Sequence, residues 1–140
     1  MRATHLLFAL IPAALSASAA TVEDPYVREP APGQSVLAAY LTIHNDSGDD
    51  LVLVGVSSAR FQRVEIHRNV EQDGMLLMQQ EDSVMIPRHG SLSFSPGGLH
   101  LILFHPSHST KAGDVVPLRL DFDNGTWLQL RAAVRRIEGS

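Results

Sequence analysis

The 140-residue chain has no cysteine. Disulfide staples, thiolate metal sites, thioredoxin-type redox pairs and thiol nucleophiles are thereby excluded, and a bound metal would have to use His, Met or carboxylate donors. Positive charge is sparse: 11 Lys and Arg stand against 15 Asp and Glu for a formal charge of −4, and Arg135-Arg136 is the one adjacent basic pair. With no basic stripe to neutralise phosphates, nucleic acid is not an expected partner. Aromatic residues are scarce at 6%. A Gly-x-Ser-x-Gly elbow, a His-Glu-x-x-His pair and a phosphate loop are all missing, and the acids are scattered, so nothing in the sequence calls for an enzyme. Beyond residue 20 no apolar run is long enough to span a bilayer.

What is present suits one packed domain: 44% apolar and 19% charged residues, with 10 Gly and 8 Pro to make turns. The chain opens like an export signal, with Arg2 before the apolar stretch Leu6 to Leu15 and the small residues Ser18-Ala19-Ala20 as a cleavage site. That stretch is shorter than the roughly 20 residues of a membrane helix. Residues 1–20 are therefore expected to be a signal peptide, and residues 21–140 a single exported domain.

Pro25, Pro30, Pro32 and Gly33 make residues 21–34 an extended lead-in. From Ser35 the period is two: Val36, Ala38, Tyr40 and Thr42 alternate with Leu37, Ala39, Leu41 and Ile43 until Asn45-Asp46-Ser47-Gly48 supplies turn chemistry. Leu51 to Val56 is apolar on both faces, as in a strand buried within a sandwich. Gln62 to His67 and Met75 to Gln80 flank Asp73-Gly74, a pair that tolerates the positive φ of a tight hairpin. Ser91 to Phe94, Leu99 to Phe104, Pro117 to Phe122 and Trp127 to Val134 complete the pattern, divided by Pro96-Gly97-Gly98, by residues 105–113 and by Asp123-Asn124-Gly125. Seven or eight short strands without helical periodicity predict an all-β sandwich with Greek-key connections.

His and Met carry the available chemistry. His67 ends one hairpin strand and Met78 lies in the other; a turn centred between Gln72 and Asp73 sets them directly opposite, with Cβ atoms about 5 Å apart, while one centred on Asp73-Gly74 shifts the pairing. His100 follows Pro96-Gly97-Gly98, a turn that can bring its strand to the rim of the sandwich. Imidazole with thioether is a soft, neutral donor set that favours Cu(I) over zinc, calcium or magnesium. Such a site leaves the ion singly charged and ready for exchange, as a carrier requires.

The spacing His67-x10-Met78-x21-His100 resembles the His-x10-Met-x21-His-x-Met motif of the periplasmic copper chaperones called PCuAC. Val27-Arg28, Pro32-Gly33, Ala38-Ala39-Tyr40-Leu41, Val64-Glu65-Ile66-His67 and Pro96-Gly97-Gly98-Leu99-His100 extend the likeness over nearly all of residues 21–140. The resemblance implies a cupredoxin-like Greek-key β-sandwich and a periplasmic protein. It further implies Cu(I) bound through His and Met at one edge, and delivery toward the copper site of cytochrome c oxidase, often with a thiol-bearing copper protein. One position departs from the motif: Ile102 stands where the last Met is expected, and Ile has no lone pair to donate. His67, Met78 and His100 remain as metal ligands.

Two other readings stay open. The same fold could serve as a metal-free binding or assembly domain, in which Ile102 extends an apolar face. A Cu(II)-handling variant would instead recruit His105 or His108. By position, His44, His89, His105 and His108 read as turn or surface residues, Trp127 as core, and Asn45-Asp46-Ser47 and Asn124-Gly125-Thr126 as turns.

Overall fold

Alternation of apolar and polar side chains gives each segment one face to bury, and extended chain is the conformation that presents such a face. A computed structural model describes residues 18–137, which form ten strands. These are β1 (Thr21–Arg28), β2 (Val36–Asn45), β3 (Leu51–Ser57), β4 (Phe61–Gln72) and β5 (Met75–Glu81), then β6 (Val84–Ile86), β7 (Gly90–Phe94), β8 (Leu99–Pro106), β9 (Val115–Phe122) and β10 (Trp127–Arg135). The expected signal peptide lies outside the described residues except for its last three. Of these, Ser18 donates its N–H to the Trp127 carbonyl at 2.7 Å, and Ala20 is buried.

The strands follow one path, β5-β4-β8-β2-β1-β10-β9-β3-β6, with β7 also on β2. The fold is all-β as the alternation predicts, but two strands exceed the expected set. The proline-bearing lead-in is β1, paired antiparallel with β2 and parallel with β10; its ladder breaks between Glu23 and Tyr26, where Asp24 takes φ 47°. Pro25 falls in that irregularity, where a missing N–H costs no ladder bond. The other addition, β6, pairs with β3 through Leu51↔Ile86 and Leu53↔Val84.

Leu37, Ala39, Leu41 and Ile43 of β2, Leu99, Leu101 and Leu103 of β8, and Val116, Leu118, Leu120 and Phe122 of β9 are all buried in one core. Each set is an alternate-residue series, so each of these three strands commits one face to the core. β3 corrects an expectation: it is not buried on both faces. Leu51, Leu53 and Val56 point inward, a register shift falls between Leu53 and Gly55, and Val54 is 47% exposed.

β2 organises the region that holds the histidines. Val36–Ala39 pair with β8 (Phe104–Leu101), and Leu41–Asn45 pair with β7 (Phe94–Gly90), so β7 and β8 lie end to end along one edge of β2. The Pro96-Gly97-Gly98 turn is the excursion between them; Gly97 adopts φ 88°, the Gly98 N–H donates to the Ser95 carbonyl, and the Ser95 N–H donates to the Leu99 carbonyl. At its far end β2 is locked by Asn45, 2% exposed, whose amide donates to the carbonyls of Asp49 (2.8 Å) and Ile86 (3.1 Å) while its oxygen accepts from Ser47. Asn45-Asp46-Ser47 is thus a turn, and its Asn is sealed from solvent.

Two predictions follow from these contacts. Asn45→Ala leaves buried carbonyls without donors and should cost about 1–3 kcal/mol in urea unfolding; an unchanged midpoint would contradict the assignment. Arg135 Nη2 donates to Asp24 Oδ1 at 2.6 Å, while Glu29 accepts from the Ala112 N–H and from Arg136 Nε. These bonds hold both carboxyls below their usual range, through Arg135 for Asp24 and through the Ala112 amide, then Arg136, for Glu29. A carboxyl depressed in the folded state stabilises above its unfolded pKa and loses that contribution as pH falls through the folded one. The urea midpoint should therefore decline below about pH 4, and Arg135→Gln should flatten the decline.

Candidate metal centre

The β4–β8 ladder places His67 directly opposite His100 and Glu65 opposite Ile102. Opposed residues share a face and alternate residues return to it, so Glu65, His67, Asn69, His100 and Ile102 all lie on one side of the sheet. This is the side away from the core, because Ile66, Leu99, Leu101 and Leu103, on the other parity, build the core. The two imidazole centroids are 6.0 Å apart with planes inclined by 34°.

Each ring is held by a hydrogen bond through one nitrogen only. His67 Nε2 lies 2.8 Å from Glu65 Oε2, and a carboxylate can only accept, so Nε2 carries the proton. In the neutral ring His67 Nδ1 is then the lone-pair nitrogen, and it is buried without a partner among the described residues. His100 uses the other nitrogen: its Nδ1 donates to the Gly98 carbonyl at 3.0 Å, so in the neutral ring Nε2 is the lone-pair nitrogen. A carboxylate or backbone carbonyl behind each imidazole is the arrangement that orients metal-binding histidines and raises their basicity. His100 is 6% exposed and the His67 side chain 17%. Bonds of about 2 Å from each donor nitrogen to one ion need those nitrogens about 4 Å apart, a spacing that 6.0 Å between centroids accommodates.

Glu65 is the functional residue that the sequence reading passed over. It accepts from Arg63 Nε (3.1 Å) as well as from His67, and the His67 bond first, then Arg63, hold its carboxyl below the usual range. A Glu two residues from a His on one strand, hence on the same face, is the signal that could have found it.

Met78 is not opposite His67. The hairpin turns on Asp73-Gly74, with φ 52° and 76°, so Gln72 pairs with Met75, His67 with Gln80, and Met78 with Asn69. Met78 nonetheless shares the His67 face and stands diagonal to it, about 7–8 Å away at Cβ and within reach of a long side chain. It is 60% exposed. Ile102 is 8% exposed and sits on the same face, so no donor fills the position where the motif has Met. Among the described residues no three His, Asp or Glu side chains group as a metal site.

The other histidines among the described residues lie elsewhere. His44 is on β2, not in a turn, and binds Glu23 at 2.7 Å; His89 and His105 have positive φ, and His108 contacts Ser107. Trp127 is half-buried, with the Arg119 guanidinium 5.1 Å from its ring, and lies outside the core cluster.

The sequence matches the LpqE-like family, described as "Putative lipoprotein LpqE-like", over residues 20–134. "Putative lipoprotein Lxx21020" of Leifsonia xyli is 26% identical over 79% of the chain and 67% of its own length. Protein RP573 of Rickettsia prowazekii is 30% identical over 64% of the chain, which spans only 50% of that relative. Among solved structures, the copper-bound PCuAC domain from PmoF2 superposes with a TM-score of 0.72 over 87% of this chain and 97% of the domain, at 24% identity. The solution structure of CuI-DR1885 from Deinococcus radiodurans gives 0.68 over 88% and 83%, at 27% identity. The PCuAC resemblance and the cupredoxin-like sandwich are thus both borne out, and the chain belongs to the LpqE-like family.

Proposed function

We propose that this protein is an exported copper carrier that holds Cu(I) between His67 Nδ1 and His100 Nε2, with the Met78 thioether as third donor. The observation that carries the reading is the pair of facing imidazoles, each with one nitrogen committed to an acceptor and the other left as a lone pair, one of them buried and unpartnered. Neutral nitrogen and sulfur donors select a soft monovalent ion. The copper-bound PmoF2 domain and CuI-DR1885 support copper as the cargo. No helix among the described residues is long and apolar enough to cross a membrane, and we place the protein in the periplasm after removal of residues 1–20. The acceptor is a copper-site assembly partner, with cytochrome c oxidase as the destination and a thiol-bearing copper protein as the intermediary.

Carriage needs retention and release together. Ile102 removes one donor, and Met78 lies on an exposed strand, so the ion is gripped firmly by two rings and loosely on the β5 side. Ligand exchange with an acceptor begins at the loose donor.

Three measurements test this. Imidazole nitrogen NMR on the apo protein should find His67 as the Nε2–H tautomer and His100 as the Nδ1–H tautomer; identical tautomers would contradict the geometry. Under reducing conditions the protein should bind one Cu(I), and free ion at 100 times the dissociation constant should add about 2.7 kcal/mol to unfolding. His67→Ala or His100→Ala should abolish that gain, and no gain in the unsubstituted protein would favour a metal-free assembly domain. Ile102→Met should tighten Cu(I) retention, whereas unchanged affinity would mean that the fourth donor is elsewhere or that no site exists.

A further inference from the structure

Nine large hydrophobic side chains are exposed among the described residues, and four are consecutive: Met75 (64%), Leu76 (78%), Leu77 (40%) and Met78 (60%). They open β5, the terminal strand of the sheet path, whose outer edge has no partner among the described residues. Leu76 and Met78 lie on the His67 face and Met75 and Leu77 on the other, so the strand is apolar on both sides with an open backbone edge. Scattered exposed hydrophobics are ordinary, but a contiguous run on a free edge is a template for pairing. No Lys or Pro interrupts it.

Charge decides what can pair there. Residues 69–82 contain Glu71, Asp73, Glu81 and Asp82 and no Lys or Arg, leaving 11 of the 15 acids against 11 bases in the rest of the chain. Residues 69–82 therefore carry a formal charge equal to that of the whole chain, and of their four acids only Glu81 is ion-paired among the described residues, to Arg68 at 3.2 Å. A second copy set edge to edge would bring these acids together, and an anionic membrane would be repelled by the same rim. We infer that the free edge of β5 is a docking strand for a protein partner presenting an extended apolar segment flanked by Lys or Arg. The partner adds a strand beyond β5: main-chain bonds and the apolar run supply contact, and the acidic rim supplies selection. The surface stands on exposure and charge alone. That the same partner receives the ion rests on the copper reading, because Met78 belongs to both.

The test uses copper-free, isotope-labelled protein, so its outcome is independent of metal binding. Two short synthetic peptides share an alternating Val/Leu core, one flanked by lysines and the other by glutamates. The lysine-flanked peptide should shift the amides of Met75–Glu81, and raised salt or Glu71→Lys with Asp82→Lys should weaken it by about tenfold or more. The glutamate-flanked peptide should leave those amides unmoved, which gives the charge test on unsubstituted protein even if the double variant fails to fold. Equal binding of both peptides, binding of neither, or shifts confined to other strands would overturn the inference. A dimer in sedimentation that Leu76→Ser abolishes would assign the edge to a second copy instead. Co-sedimentation with phosphatidylcholine or phosphatidylglycerol vesicles, lost on Leu76→Ser, would assign it to a membrane.

Discussion

In an antiparallel ladder opposed residues share a face, so the register of β4 against β8 decides whether His67 and His100 meet at all. The pairing that runs from Phe61↔Pro106 to Arg68↔Leu99 sets Ile66 and Leu101 into the core and turns both imidazoles outward together. A slip by one residue would drive His67 into the apolar interior and expose Ile66. The core thus enforces the site: Leu99, Leu101 and Leu103 have no other face to bury, and their burial specifies the position of His100 between them. The meeting of the two imidazoles on the outer face is a by-product of hydrophobic commitment on the inner one.

Polar contacts then complete what the register begins. Glu65 and the Gly98 carbonyl engage opposite nitrogens of the two rings, so the nitrogens left free of these bonds are Nδ1 of His67 and Nε2 of His100. The Gly98 carbonyl is available because the Pro96-Gly97-Gly98 turn leaves the β2 edge just before β8 begins; it also accepts, more weakly, from the Asn69 N–H at 3.4 Å. Firm support on β4 and β8 contrasts with the exposed hairpin strand that carries Met78. In the carrier we propose, retention is built from strands within the sheet and release from its edge, where the apolar run and the acidic rim also lie.

Much of this was legible in the residues. Alternation in β2, the turn signals that divide β8, β9 and β10, and the Asp73-Gly74 turn are local signals, and they predicted strands where strands occur. The spacing of His67, Met78 and His100 pointed to one site, and all three do lie on one face. What was not legible depends on long-range pairing. β6 is three residues long and exists because β3 offers it an edge, and β1 is a strand because β2 and β10 flank it despite Pro25. The hairpin register hinged on which two residues occupy the turn, and the shift that results moves Met78 from opposite His67 to opposite Asn69. The expected strand Gln62 to His67 already put Glu65 on the His67 face; what the residues alone do not give is the hydrogen bond between the two side chains.

X-ray absorption spectroscopy on the protein loaded with one Cu(I) reads the central claim most directly, because imidazole rings leave a distinct outer-shell scattering pattern. The account predicts two imidazole nitrogens and one sulfur around the ion, with the imidazole signal halved and not merely weakened in His100→Ala. A first shell of sulfur or oxygen alone, or a single imidazole in the unsubstituted protein, would contradict it.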